Sequence, residues 1–242
     1  MSVSKSILII GGSAGAKIAT NIFKMTHPHH NLYYVECYAD EIQLNRLYTT
    51  VEKSLDHINI PNVDYFIATG DNEMRKKHYN LIKGYTKKEP INCIHPTSVV
   101  ETKRIGHGNL VCPKAVVHID SIIGNCTIIN TSSIVEHDCY VGDFSQISPN
   151  TTICGYVKIG ENCFISAGST IIPKIEIGDN SVIAAGSVVI DNVPPNVMVA
   201  GVPSKIKKPF NMKNFNIPIF RLKFDIKSKL KILEGGVGHI II

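Results

Sequence analysis

The sequence predicts a two-part molecule, an α/β unit at the N-terminus followed by an all-β coil of parallel strands, and three observations carry that reading. Stepping in sixes from Ile105 to Val189 lands on Ile or Val at all fifteen positions. Four residues after most of these aliphatics stands a small residue, among them Ala115, Ser121, Thr127, Ser133, Cys139, Ser145, Cys163, Ser169 and Ser181. Ahead of the repeat, SILIIGGSAGAKIATNIF reads as a buried strand, a glycine turn and an amphipathic helix.

A helix repeats near 3.6 residues and a strand at 2, so a sustained period of six suits short parallel strands wound into a coil. Each face then contributes one inward aliphatic, and three faces close one turn. The small residues suit tight interior corners. Glycines at 106, 124, 142, 160 and 178 recur every 18 residues, so they are expected to stack along one edge and relieve its turns. Five turns at a strand spacing of about 4.8 Å make a prism about 24 Å tall.

Whole-chain properties narrow the function classes. With 242 residues, 44% hydrophobic and 19% charged, the chain can bury a sizeable core, and it lacks an apolar run near the roughly 20 residues that span a bilayer. The first apolar run is short and enters a glycine turn directly, which fits a buried strand better than a secretory signal and points to the cytoplasm. Seven cysteines, none in a CxxC pair, read as reduced packing thiols. The net charge of +5 is concentrated at the C-terminus, where residues 205–234 hold nine Lys/Arg against Asp225 and Glu234. The remainder is slightly acidic, which argues against a nucleic-acid-binding surface. The expected division is 1–95, 96–208 and a basic extension over 209–242. In that extension IPIFRLKFDIKSKLKIL alternates apolar and basic residues, as an added packed arm or a weak contact with an anionic membrane surface or a glycosyltransferase would require.

In the N-terminal unit Gly11, Gly12 and Gly15 approximate a dinucleotide fingerprint, but Lys17 or Ile18 stands where a third glycine belongs. A phosphate site at the helix N-terminus and a plain strand-to-helix turn both remain open. The strand NLYYVEC ends in Glu36, and VDYFIATG ends at Gly70 before a helix starting near Glu73. These ends should gather beside the first glycine turn, where open parallel sheets bind ligands. Gly12, Ser13, Ala14, Gly15, Glu36 and Gly70 are the candidate binding residues there.

For chemistry, INTSSIVEHDC offers the best base. His137 follows the inward Val135 by two residues, so its side chain should project from the prism between Glu136 and Asp138. A carboxylate that keeps one ring nitrogen protonated leaves the other free to accept a proton; a plain surface histidine among acids is the other reading. Asn130 fits either a polar contact or a corner asparagine. His118 lies 19 residues before His137 and raises the possibility of zinc, but a site of three converging histidines lacks its third ligand. No metal is expected.

The stretch GDFSQISPNTTICGYVKIGENCFISAGSTIIPKIEIGDNSVIAAGSVV and the closing AGVPSK resemble hexapeptide-repeat acyltransferases, which implies a left-handed parallel β-helix, a handedness the period does not supply. GGSAGAK, FIATGDNEMRKK, CIHPTSVV and NTSSIVEHDC are similar to bacterial sugar acetyltransferases of the sialic acid O-acetyltransferase and UDP-4-amino-sugar N-acetyltransferase type, over residues from about 5 to 207. That resemblance implies a Rossmann-like N-terminal domain holding a nucleotide-sugar acceptor, acetyl-CoA as co-substrate, and a homotrimer with CoA between two prisms. It also implies His137 as general base, Asp138 raising its basicity, Glu136 in the same catalytic segment, and Asn130 at the acceptor's reacting group. Gln146 falls where related enzymes often place a histidine touching the acetyl donor, and Gly155, Ala167 and Ala185 where the backbone passes close to CoA. The implied reaction is acetylation of the 4-amino group of a nucleotide-linked 4-amino-4,6-dideoxy sugar. O-acetylation of sialic acid or another sugar hydroxyl, and a nucleotide-sugar-binding module without turnover, are the alternatives. UDP-sugar-binding members tend to carry two acidic residues where this chain has Glu36-Cys37, so the choice between UDP and dTDP stays open.

Overall fold

The structure is a computed structural model that describes residues 6–11, 14–38, 41–43 and 63–209. Its N-terminal unit runs β1 (Ser6–Ile10), α1 (Ala14–Thr26), β2 (Asn31–Tyr38), β3 (Glu41–Gln43), β4 (Asp64–Ile67) and α2 (Asn72–Thr86). The sheet order is β3-β2-β1-β4, with β2 and β4 parallel to the central β1 and β3 antiparallel on β2. Successive side chains of a strand point to opposite faces. Accordingly Ile7 and Ile9 pack with Ala16, Ala19, Ile22 and Phe23 of α1, while Leu8 and Ile10 pack with Ile82 and Tyr79 of α2. One helix therefore covers each face of a small parallel sheet.

Both helices show why they form. The buried residues of α1 recur at spacings of three and four, the stripe that faces a core. Asp71 caps α2 in extended conformation, its carboxylate accepting from Met74 N at 2.8 Å, and Glu73 adds negative charge to the first turn. Lys87, left-handed at φ 55°, ends the helix with its N–H on the Lys83 carbonyl.

Beyond α2 the chain becomes a parallel β-solenoid of about six turns with three sheets. The first face is built from rungs at Cys93–Ile94, Leu110–Val111, Ile128–Ile129, Gln146–Ile147, Phe164–Ile165 and Val182–Ile183, and is closed by Val197–Ala200 and the antiparallel Lys205–Pro209. The second runs from Val99–Val100 through Val116–Val117, Ile134–Val135, Thr152–Ile153 and Thr170–Ile171 to Val188–Val189. The third holds Ile122–Ile123, Tyr140–Val141, Lys158–Ile159 and Glu176–Ile177. Register pairs such as Ile129↔Ile147 and Val135↔Ile153 stack the inward aliphatics into one continuous buried column.

Two expectations are corrected. The coil begins a turn earlier than the hexad count gives, because the inward residues Ile94 and Val100 precede Ile105 by a spacing that slips one residue out of frame. The stacked glycines do not supply the left-handed turn residue, which stands two positions later and is usually not glycine: Cys126, Phe144, Asn162 and Asn180 all have φ between 51° and 58°. The stacked glycines are there because the next coil lies against them. A β-carbon on Gly142 would come within 2.6 Å of the Gly160 carbonyl carbon, and one on Gly124 would overlap the Asp143 carboxylate.

The N-terminal unit is packed on the first face. Cys93, Leu110, Cys112 and Ile128 share one apolar cluster with α1 and with Ile7, Ile9 and Phe66. Residues 210–242, which hold nearly all of the expected basic extension, lie outside the described residues.

Candidate active site

His137 sits on the corner between the second and third faces, where the repeat turns outward after Val135. Its Nδ1 lies 2.8 Å from Asp138 Oδ2, with the two side chains 47% and 40% exposed. Asp138 reaches back because its own backbone is left-handed, at φ 57°. The imidazole fills the space that a side chain at 155 would need: a β-carbon there would lie 2.9 Å from Cε1 and Nε2. Tyr156 closes the other side edge-on, at 5.2 Å between ring centroids and 89° between planes. Ile119, more than half exposed, stands one coil earlier, its carbonyl accepting from Asp138 N at 3.3 Å. An oriented imidazole with Nε2 unpaired among the described residues can take a proton from a nucleophile brought to this corner.

Glu136 turns away from this pair. Its Oε1 lies 3.9 Å from His118 Nε2 on the preceding coil, and His118 Nδ1 lies 2.9 Å from Glu101 Oε2. His118 thus stacks on Glu136 and not on His137, because one coil is 18 residues and not 19. Among the described residues no group of three His, Cys, Asp or Glu is placed to hold a metal. Cys139 is buried, its thiol donates to the Cys154 carbonyl, and burial pushes its pKa up to about 11. It is placed as a packing thiol, 1% exposed.

Within one chain the remaining candidates do not gather at His137. Asn130, Ala167 and Ala185 lie on the corner between the first and second faces, and Gln146 lies on the first face. Asn130 Oδ1 is engaged locally by Thr131 N at 2.8 Å. The alanines stack one coil apart, Gly186 N donating to the Ala167 carbonyl at 3.0 Å, and both are exposed. Gln146 Oε1 and the neighbouring Ser148 Oγ are buried without a hydrogen-bond partner among the described residues.

The acceptor candidates among the described residues sit together at the carboxyl end of the sheet. Register pairs Ile10↔Val35 and Ile10↔Ile67 bring Gly11, Glu36 and Ala68 level, and Ala68 N donates to the Ile10 carbonyl at 2.7 Å. Ala14 and Gly15 open α1 immediately beyond, and Gly70 is exposed just after β4. Gly12, Ser13 and the side chain of Glu36 lie outside the described residues.

The sequence reading did not single out Tyr156, which follows Gly155, the residue one coil of 18 beyond His137, or Arg75. Arg75 is 1% exposed and spends all five N–H donors: Nε on the Cys126 carbonyl (2.7 Å), Nη1 on Thr69 and Gly70 (both 3.0 Å), and Nη2 on Asn72 Oδ1 and Phe144 (both 2.8 Å). Burial lowers its pKa to about 10.

A solenoid of six-residue rungs with an oriented histidine on its corner and a parallel α/β unit on one face defines a hexapeptide-repeat acyltransferase. The family model described as bacterial transferase hexapeptide (six repeats) matches residues 156–191. The chain is 30% identical to perosamine N-acetyltransferase from Caulobacter crescentus, solved with CoA and GDP-perosamine, over 85% of this chain and 98% of that one at a TM-score of 0.75. The acetyltransferase domain of PglB from Neisseria gonorrhoeae, solved with acetyl coenzyme A, shares the fold at 24% identity, with 85% and 100% covered and a TM-score of 0.76. WeeI from Acinetobacter baumannii does so at 23% identity, with 84% and 100% covered and a TM-score of 0.74. The chain belongs to the bacterial hexapeptide-repeat sugar acetyltransferases, and it is an acetyl-CoA-dependent sugar acetyltransferase.

Proposed function

We propose that the chain transfers the acetyl group of acetyl-CoA to the 4-amino group of a nucleotide-linked 4-amino-4,6-dideoxy sugar. The observation that carries this reading is the His137–Asp138 pair, with Nδ1 held and Nε2 unpaired among the described residues. The amine attacks the thioester carbonyl while His137 Nε2 takes its proton. Collapse of the tetrahedral adduct expels the CoA thiolate, and the imidazolium returns the proton to that sulfur. The acceptor's nucleotide lies at the ends of β1, β2 and β4 in the Rossmann-like region 1–95, the left-handed helix of 96–208 holds the donor, and 209–242 is an accessory arm. Likeness to a GDP-perosamine complex adds GDP to UDP and dTDP as the base carrier to test.

The same reading includes a homotrimer. The outward ladder of the second face, Val99, Val116, Ile134, Thr152, Thr170 and Val188, is β-branched and carries no charge. Packing that face around a three-fold axis sets the corner of Asn130, Ala167 and Ala185 of one copy beside the His137 corner of the next. The six described cysteines are unpaired thiols, which supports a cytoplasmic setting.

A panel of GDP-, UDP- and dTDP-linked 4-amino sugars, with free sialic acid as the hydroxyl acceptor, tests the reading through acetyl-CoA-dependent CoA release. Turnover restricted to sialic acid would favour O-transfer, and none at all would favour a binding module.

A further inference from the structure

We infer that Arg75 is a positioning residue for the acceptor site, acting through the Thr69–Gly70 turn. The inference rests on the acceptor lying at the carboxyl ends of β1, β2 and β4. Arg75 is 1% exposed, closed off from solvent, and its guanidinium joins three bodies. Nη1 holds the carbonyls of Thr69 and Gly70, the turn that leaves β4 at the acceptor site. Nη2 holds Asn72 in the first turn of α2. Nε and Nη2 hold the carbonyls of Cys126 and Phe144, which are left-handed corner residues of two successive solenoid coils.

Among the described residues no carboxylate hydrogen-bonds this buried cation, although the Asp71 carboxylate is near enough to favour its charge; all five hydrogen-bond acceptors are neutral. If packing alone were required, an apolar side chain of similar volume would fill the site without the desolvation of a charge. A planar fork of five fixed donors suits a different need, the setting of angle and distance among rigid pieces. Neighbouring bonds reinforce the joint: Asn72 Nδ2 donates to the Cys163 carbonyl at 3.1 Å, and Asn162 Nδ2 to Glu73 Oε1 at 2.5 Å. On the far side of the turn, Thr69 Oγ1 lies 2.8 Å from Nδ1 of the buried His78. Thr69 is thereby fixed through its carbonyl to Arg75, which itself holds the solenoid, and through its hydroxyl to His78 of α2.

The test compares Arg75→Lys and Asn72→Ala with wild type, using GDP-perosamine and a UDP-linked 4-amino-4,6-dideoxy sugar as acceptors, together with hydrogen exchange over residues 69–76. Arg75→Lys keeps the charge and loses the fork, while Asn72→Ala loosens the same joint with Arg75 in place. In both, the KM for acceptor should rise at least tenfold, the KM for acetyl-CoA should stay within twofold, and amides of 69–72 should exchange at least tenfold faster. Loss of folding alone would lower the active fraction and leave the acceptor KM unchanged. Folded variants with wild-type exchange and wild-type acceptor KM overturn the inference. Should wild type turn over neither acceptor, the functional reading fails separately, and the exchange comparison still decides whether Arg75 fixes the turn.

Discussion

At the scale of single residues, the proposed chemistry depends on one imidazole and what orients it. His137→Ala should lower kcat by about 10²–10⁴-fold with CoA binding unchanged, as removal of a placed base does. Asp138→Asn should lower it less, because the ring loses the carboxylate that orients its Nδ1. Gly155→Ala forces the ring to move, so kcat should fall while the melting temperature shifts little, which steady-state kinetics and a thermal melt would show together. Cys139→Ser should remain active; acetyl label trapped on the wild-type protein, with a dead Cys139→Ser, would overturn direct transfer. The outward direction of His137 was legible in the hexad phase at Val135, whereas the roles expected of it and of Asp138 came from the family resemblance. Arg75 was not legible, since nothing in a run of charged residues says which one a neighbouring sheet will bury.

Among elements, α2 is the one whose ends matter most, because its first turn meets both the Thr69–Gly70 turn and the solenoid. Asp71→Ala removes the cap on Met74 N and should destabilise by about 1 kcal/mol in denaturant titration. His78, on the same helix, is 4% exposed, and burial, aided by Lys77, lowers its pKa below 6.5. An unfolded chain then binds a proton that the folded one resists, so stability falls as pH drops from 6.5 toward the folded value. His78→Gln should flatten that part of the pH–stability curve. The hexad spacing revealed the rungs from Ile105 onward, whereas those at Cys93 and Val99 stand one residue out of its frame, Val99 within the expected 96–208 and Cys93 just before it. Glycine's place at the stacked edge was visible too, but its reason lies in the distance between coils, which a linear sequence does not display.

For the whole molecule, sedimentation at micromolar concentration should give a trimer, and a charge placed on the second face, as in Ile134→Lys, should yield monomers with little turnover. Truncation after Lys208 should leave turnover nearly intact; loss of the trimer instead would assign 209–242 to packing. The seating of the N-terminal unit on the first face could not be read from either part alone, because it depends on which of three similar faces carries Leu110 and Ile128 outward. The coil length has a further consequence, that the solenoid has a phase as well as a length. Removing one whole coil, such as 161–178, keeps every downstream face aligned and only shortens the molecule. Removing 17 residues instead would rotate each later rung out of step, turning aliphatics toward water and outward polar groups into the column. The natural one-residue slip lies between Val100 and Ile105, at the end of the coil, where only two rungs precede it and little has to be realigned.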